Sequence, residues 1–243
     1  AAKNAAKNNY KTLLLDEKNV LGGSTIFEAN DDNKINHNSV SEWLKKEINE
    51  LKNIKNLEIK TRTSVAAYHQ YNYLLARENL TDHLDKKDKK NKIRQRLLKI
   101  RAKKVILATG ALERPLIFNN NDRPGIMLSS AIKKYSNFYG VACGTKNIFF
   151  TNNDSAYESA LSLHNKGIKV EAIIDIRENS DAKIIKKINA AGIKIFWSHT
   201  IIDTSGYKRL SGISIMKLSN DGTSVTGSKI SISCDCLGIA GGW

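Results

Sequence analysis

The 243-residue chain holds only two prolines, Pro115 and Pro124, and three cysteines, Cys143, Cys234 and Cys236. No two cysteines form a C-x-x-C pair, which argues against a zinc ribbon, a disulfide framework and the dithiol chemistry of disulfide reductases. Cys234 and Cys236 lie two apart on an expected strand and are read as core residues sharing one face. No apolar run approaches the roughly 20 residues of a membrane span, and no signal peptide is visible, so a cytoplasmic location without a membrane partner is expected. The five histidines, His37, His69, His83, His164 and His199, are scattered, and none stands in an H-E-x-x-H spacing. Ser129, Ser130 and Ser155 lack the G-x-S-x-G context of a nucleophile elbow. No metal site is expected, and no catalytic residue can be named.

One sign of charge dominates, with 39 Lys and Arg against 24 Asp and Glu and a formal net charge of +15. Clustered cations would suggest nucleic acid. Here the excess is diffuse, lysine outnumbers arginine, and asparagine and isoleucine are also abundant, as AT-rich codons would produce. The densest basic stretch, Lys86 to Lys104, begins beside Asp85, includes Asp88 and has no interleaved aromatics for base stacking. Its first half reads as a solvated connector. Nucleic acid is not the expected partner, and an anionic partner protein remains open.

What the chain does contain is a repeated alternation of strands and helices, expected to form parallel βαβ units. The first half reads as a helix tail (1–9), a strand (11–15) ending on Asp16 and Glu17, a Gly22-Gly23-Ser24 turn, and a helix near 39–52. A strand at 57–63 follows, then antiparallel strands near 64–78 and 97–102, and a buried strand opening at Val105. Residues 119–144 bridge to a second half with strands at 148–151, 170–174 and 193–197, helices at 155–165 and 182–191, and hairpin-like strands from Thr200. The expected fold is α/β, with two Rossmann-like three-layer dinucleotide-binding domains of the pyridine nucleotide-disulfide oxidoreductase type, truncated at both ends. Expected boundaries are 1–143, 144–236, and a return to the first domain over 237–243. The G-x-G-x-x-G turn that should precede the first helix is missing, so the chain reads as part of a longer polypeptide.

The stretch Val105-Ile106-Leu107-Ala108-Thr109-Gly110-Ala111 reads as a strand ending in residues small enough for a ligand to approach, at the crevice beyond the strand ends. A core strand closed by an ordinary glycine turn is the other reading. Asp16 and Glu17 stand where a carboxylate can accept hydrogen bonds from an adenosine ribose, and their charge would disfavour a 2′-phosphate. Gly22 and Gly23 would let backbone pass close to a cofactor, or form a simple turn. In the second half, Thr151-Asn152-Asn153-Asp154-Ser155-Ala156-Tyr157 replaces the expected glycines, and Asp154 puts a negative charge where phosphate would bind. Asp154 is read as an ordinary N-cap. Asp175 occupies the second ribose position, but the module reads as one that has lost dinucleotide binding.

Ala108-Thr109-Gly110-Ala111-Leu112-Glu113-Arg114-Pro115, Asp122-Arg123-Pro124-Gly125-Ile126-Met127 and the Thr151-to-Tyr157 turn resemble the alpha subunits of heterotetrameric sarcosine oxidases. Thr81-Asp82-His83-Leu84, Arg94-Gln95-Arg96-Leu97 and Gly241-Gly242-Trp243 extend the resemblance along the chain. It implies a nucleotide-binding alpha subunit that holds NAD, in a complex that oxidatively demethylates sarcosine to glycine with oxygen as acceptor. It further implies FAD on a beta subunit, FMN between alpha and beta, and small gamma and delta subunits. Asp16, Glu17, Gly22, Gly23, Thr109 and Gly110 match cofactor-facing positions, and Gly241 and Gly242 match a late turn near the nucleotide. The family's ferredoxin-like and folate-binding regions have no counterpart here. Alpha subunits of FAD-dependent amino-acid and opine dehydrogenases and of hydrogen cyanide synthase share much of the pattern. A non-catalytic, nucleotide-holding scaffold is a third reading.

Overall fold

A computed structural model describes residues 1–28 and 34–243, which divide into two compact units, Ala1–Thr109 and Gly110–Trp243. In the first, Ala2–Lys7 (α1) leads to Thr12–Leu15 (β1), which pairs in parallel with Leu57–Lys60 (β4), Thr12 opposite Leu57. Parallel pairing needs a crossover. It is supplied by Thr25–Glu28 (α2), a small hairpin of Lys34–Ile35 (β2) and Asn38–Ser39 (β3), and Val40–Lys52 (α3). The start of α3 is fixed by a reciprocal capping box. The Glu42 N–H donates to Ser39 Oγ at 3.3 Å, and the Ser39 N–H donates to Glu42 Oε2 at 3.2 Å. Lys3 ties α1 to α3 through Glu47 and Glu50, each at 2.8 Å. Thr63–His69 (β5), Tyr73–Asn79 (β6) and, after the short Lys86–Lys89 helix (α4), Gln95–Arg101 (β7) form a three-stranded antiparallel sheet in that order.

The second unit is built on a five-stranded parallel sheet. Ile126–Leu128 (β8), Ser129–Tyr139 (α5), Asn147–Thr151 (β9), Ser155–His164 (α6), Val170–Asp175 (β10), Lys183–Ala190 (α7) and Lys194–Trp197 (β11) alternate along the chain. His199–Ser205 (β12), Gly212–Leu218 (β13) and Val225–Ser233 (β14) then form an antiparallel sheet before Cys236–Ala240 (β15) returns to the parallel one. The spatial order is β11-β10-β9-β15-β8. Every residue of β9 and β15 is buried, as expected of strands covered on both faces. Phe149 packs on one side with Ile132, Tyr157, Leu163 and Ile188 from the helices. Ile148 and Phe150 pack on the other with Ile201, Ile213 and Ile215 from β12 and β13. The unit therefore has three layers, helices, parallel sheet and antiparallel sheet.

Two expectations need correction, the Val105 strand and the shared face of Cys234 and Cys236. Val105–Ala108 forms no strand, and Ile106 and Leu107 are 68% and 65% exposed. Among the described residues no backbone–backbone hydrogen bond engages residues 103–113, and only the Lys103 carbonyl is met, by Asn72 Nδ2 at 3.1 Å, so a β-rich sequence stays without a pairing partner. The two compact units divide after Thr109, with β8 and α5 joined to the second unit through β15 and α6. Residues 237–243 bring β15 between β9 and β8 and then pair with Arg114. Cys234 and Cys236 are buried, but on opposite faces of the sheet, because the chain breaks its strand at Asp235. That carboxylate accepts hydrogen bonds from the backbone of Thr145 and Lys146 at 2.8–3.0 Å.

Candidate functional site

Asp16 follows β1 directly, and its peptide is locked on both sides. Its N–H donates to the Lys60 carbonyl at 3.0 Å, and its own carbonyl accepts from the Thr63 N–H at 2.8 Å. The carboxylate is half-buried, and Oδ1 accepts the Lys18 N–H at 2.9 Å. Oδ2 has no hydrogen-bond partner among the described residues, and exposed Glu17 has none. Beyond them, Gly22 has φ +126°, and a Cβ there would lie 2.8 Å from both Ile26 Cγ1 and Leu44 Cδ2. The packing of α2 and α3 on this turn thus requires glycine whether or not a ligand approaches. Gly23 faces open space.

Thr109 ends the exposed segment and Gly110 opens the second unit. Gly241 and Gly242 follow β15, where they make a two-residue ladder with Arg114. The Gly241 N–H donates to the Arg114 carbonyl at 2.7 Å, and the Arg114 N–H donates to the Gly242 carbonyl at 2.8 Å. A Cβ on Gly241 would come within 2.7 Å of the Arg114 oxygen. This glycine is required by a backbone contact within the protein.

At the ends of β9 and β10 the second unit satisfies its own polar groups. Asp175 is fully buried. Its carboxylate accepts the Tyr157 hydroxyl at 2.7 Å, the Arg177 N–H at 2.9 Å, and Arg177 Nε and Nη2 at 3.1 and 2.7 Å. Burial and the adjacent carboxylate push the Tyr157 hydroxyl far above its ordinary range, so it stays a donor. Hydrogen bonding to Asp175 raises Arg177 further, despite its partial burial. Arg177 Nη2 also reaches Asp154 Oδ1 at 2.8 Å, and Ser180 Oγ donates to that oxygen at 3.0 Å.

Asp154 occupies the N-cap position of α6, but its side chain does not cap. Asn153 performs that task, its Oδ1 accepting the Ser155 N–H at 3.0 Å and the Ser155 hydroxyl at 2.6 Å. The expected Asp154 cap is therefore corrected. Arg177 draws that carboxylate into a charge-assisted network, leaving the neighbouring amide to cap. The helix start is sealed by its own turn, with Asn153 Nδ2 tied to the Ala240 carbonyl at 3.1 Å.

The start of α5 is filled in the same way. Glu113 is buried, and its Oε2 accepts the Ser130 N–H at 2.8 Å. Burial pushes its carboxyl above the ordinary range, against the opposing pull of that backbone bond. Among the described residues its Oε1 and the buried Ser129 hydroxyl have no hydrogen-bond partner. Sequence reasoning did not single out Tyr157, Arg177 or Glu113 as polar anchors. The available signal was Asp175-x-Arg177 at a strand end, a spacing that lets a guanidinium fold back on its neighbour's carboxylate.

The two units thus differ chemically. Asp16 and Glu17 offer open acceptor oxygens beside a glycine turn, as a ribose diol requires. Asp175 offers none, because a tyrosine and an arginine already occupy its lone pairs.

No protein-family model matches the chain. Among curated relatives, it is 35% identical over 245 residues to the sarcosine oxidase subunit alpha of Corynebacterium sp. (strain P-1), and 34% over 247 residues to that of strain U-96. Each alignment covers 100% of this chain and 25% of the relative, so the chain spans about a quarter of their length. Thioredoxin reductase from T. acidophilum superposes over 99% of this chain and 72% of its own, with TM-score 0.69 and 17% identity. L-proline dehydrogenase from P. horikoshii superposes over 99% and 39%, with TM-score 0.66 and 19% identity. The fold is α/β of the pyridine nucleotide-disulfide oxidoreductase type, and the chain resembles sarcosine oxidase alpha subunits along its whole length.

Proposed function

We propose that the chain forms the dinucleotide-holding region of a sarcosine oxidase alpha subunit, within a flavin-dependent complex that demethylates sarcosine to glycine with oxygen as acceptor. Similarity to such subunits over the full chain carries the reading. The open carboxylates beyond β1 support its cofactor part. In this reading NAD is held by the first unit, with Asp16 and Glu17 accepting from the adenosine ribose hydroxyls. Gly22 and Gly23 form the turn beside it, and Thr109 completes the proposed cofactor-facing set of that unit, while Gly110, Gly241 and Gly242 belong to the second unit. The acidic pair repels a 2′-phosphate, so the non-phosphorylated nucleotide is preferred. The sealed Asp175 gives the second unit no such role.

When bound, FAD on the beta subunit supplies the amine oxidation, and FMN between alpha and beta passes the electrons to oxygen. Sarcosine, water and oxygen would leave as glycine, formaldehyde and hydrogen peroxide. Beta, gamma and delta subunits are the proposed partners. The test is the absorbance spectrum of the assembled complex before and after anaerobic addition of sarcosine. Bleaching of a flavin band, with peroxide formed when air is admitted, is the expected result. A flavin bleached only by another amino acid would move the assignment to an amino-acid or opine dehydrogenase, and absence of flavin would leave a nucleotide-holding scaffold.

A further inference from the structure

One face of the β5-β6-β7 sheet carries three cations and no acid. The register pairs Tyr73 with Arg101, Leu75 with Lys99 and Arg77 with Leu97, while His69 and Ala67 on β5 lie opposite Tyr73 and Leu75. Directly paired residues share a face. Each of these β6–β7 pairs sets one cation beside one apolar side chain, with Lys99 and Arg101 neighbouring each other along β7 and Arg77 diagonal to Lys99 on β6. Arg77, Lys99 and Arg101 are exposed, and Leu97 is 60% exposed. Glu78, the only acidic residue of the three strands, is buried on the other face, where it meets Lys60 at 3.2 Å and Arg96 at 3.6 Å. Among the described residues neither Arg77 nor Lys99 has an ion-pair partner, and Arg101 rests 5.5 Å over the Tyr73 ring.

We infer that this face docks an acidic surface of a partner protein. Unpaired cations concentrated on one face attract carboxylates and orient the encounter. Exposed Leu97, with half-buried Tyr73 and Leu75 beside it, supplies the apolar contact that protein interfaces combine with arginine. A nucleic-acid face would instead need aromatic rings open for stacking, and the Tyr73 ring is covered by Arg101 on one side and neighbours His69 at 6.0 Å. The cluster also sits apart in sequence from the lysines of Lys86–Lys92, so its contribution can be separated from overall charge.

Fluorescence anisotropy with a short labelled peptide of alternating glutamate and leucine tests this, beside single-stranded DNA and RNA probes of equal charge. Two triple variants are compared with the native chain, Arg77→Ala/Lys99→Ala/Arg101→Ala on the face and Lys86→Ala/Lys87→Ala/Lys90→Ala in the connector. Both are first checked for unchanged circular dichroism and thermal midpoint. A milder Arg77→Gln/Lys99→Gln/Arg101→Gln set replaces the face variant if that one unfolds. The expected result is peptide affinity about ten-fold weaker in the face variant and changed less than about two-fold in the connector variant. Equal losses in both would assign the binding to diffuse charge, tighter binding of DNA or RNA lost with the face would assign it to nucleic acid, and no peptide binding would reject the surface. Each of these overturns the inference.

Discussion

Arg177 closes over Asp175 from two residues away, with its backbone N–H at 2.9 Å and Nη2 at 2.7 Å from the same buried carboxylate. The pair fills the place at the end of β10 where a ribose would otherwise be read. Removing the guanidinium would leave a fully buried carboxylate with Tyr157 and backbone as its remaining donors. Breaking a buried pair costs about 3–5 kcal/mol. Arg177 is partly exposed, its side chain retaining 28% accessibility, so solvent screening brings the expected loss for Arg177→Ala below that range, to about 2–3 kcal/mol. Urea unfolding measures it. Replacing Asp175 with Asn and Arg177 with Met together should cost less than Arg177→Ala alone, because no orphaned charge remains. A double variant as unstable as the summed singles would contradict the pairing.

Glu113 gives a prediction in pH. Burial raises its carboxyl in the folded chain, so the folded state holds its proton at pH values where the unfolded chain has released it. The folded state then binds more protons, and its stability falls as pH rises. The loss begins near the ordinary value of 4.5 and is complete once the folded carboxyl has titrated. Each unit of raise corresponds to about 1.4 kcal/mol. Glu113→Gln keeps an acceptor for the Ser130 N–H without the charge, so its stability relative to the native chain should improve from acid toward neutral pH. Denaturation curves at a series of pH values read the difference. A constant difference would show that Glu113 does not titrate above its unfolded counterpart.

The strands of the second unit were legible because they are short apolar runs bounded by turn residues, as at Ile148–Thr151 and Val170–Ile174. The pairing of β15 with β9 and β8 was not legible, since they lie about a hundred residues away in sequence and pairing over such separations leaves no local mark. Val105–Ala108 reads as a strand on composition, yet a strand exists only where a partner accepts its hydrogen bonds. Asp154 and Asn153 are both good caps by type, and the choice between them depends on Arg177, which arrives from the next strand end. The strand end at Asp16 and Glu17 was legible because it is a local feature.

Gly241 offers a steric test of the ladder beside β15. A methyl group would lie 2.7 Å from the Arg114 carbonyl oxygen, a backbone atom that cannot rotate away. Overpacking of this kind costs about 1–3 kcal/mol. Gly241→Ala should lower the thermal midpoint and speed amide exchange at Arg114, whose N–H donates to Gly242 in the intact ladder. Unchanged exchange at Arg114 would show that the chain beyond β15 moves as a unit without loss.

The proposed ribose contact rests on two acceptors that nothing else in the described chain uses, Asp16 Oδ2 and the Glu17 carboxylate. If they receive the ribose hydroxyls, Asp16→Asn with Glu17→Gln should weaken NAD binding to the assembled alpha subunit by about ten-fold, equivalent to about 1.4 kcal/mol. Loss of the two charges should also narrow the preference over the 2′-phosphorylated nucleotide, because repulsion of that phosphate disappears with them. Calorimetric titration with both nucleotides measures each effect. The matched change Asp175→Asn should leave both affinities unaltered, since that carboxylate is already filled by Tyr157 and Arg177. Reversal of the pattern, with Asp175 controlling affinity and the acidic pair silent, would move the nucleotide to the second unit and require the Arg177 network to open on binding.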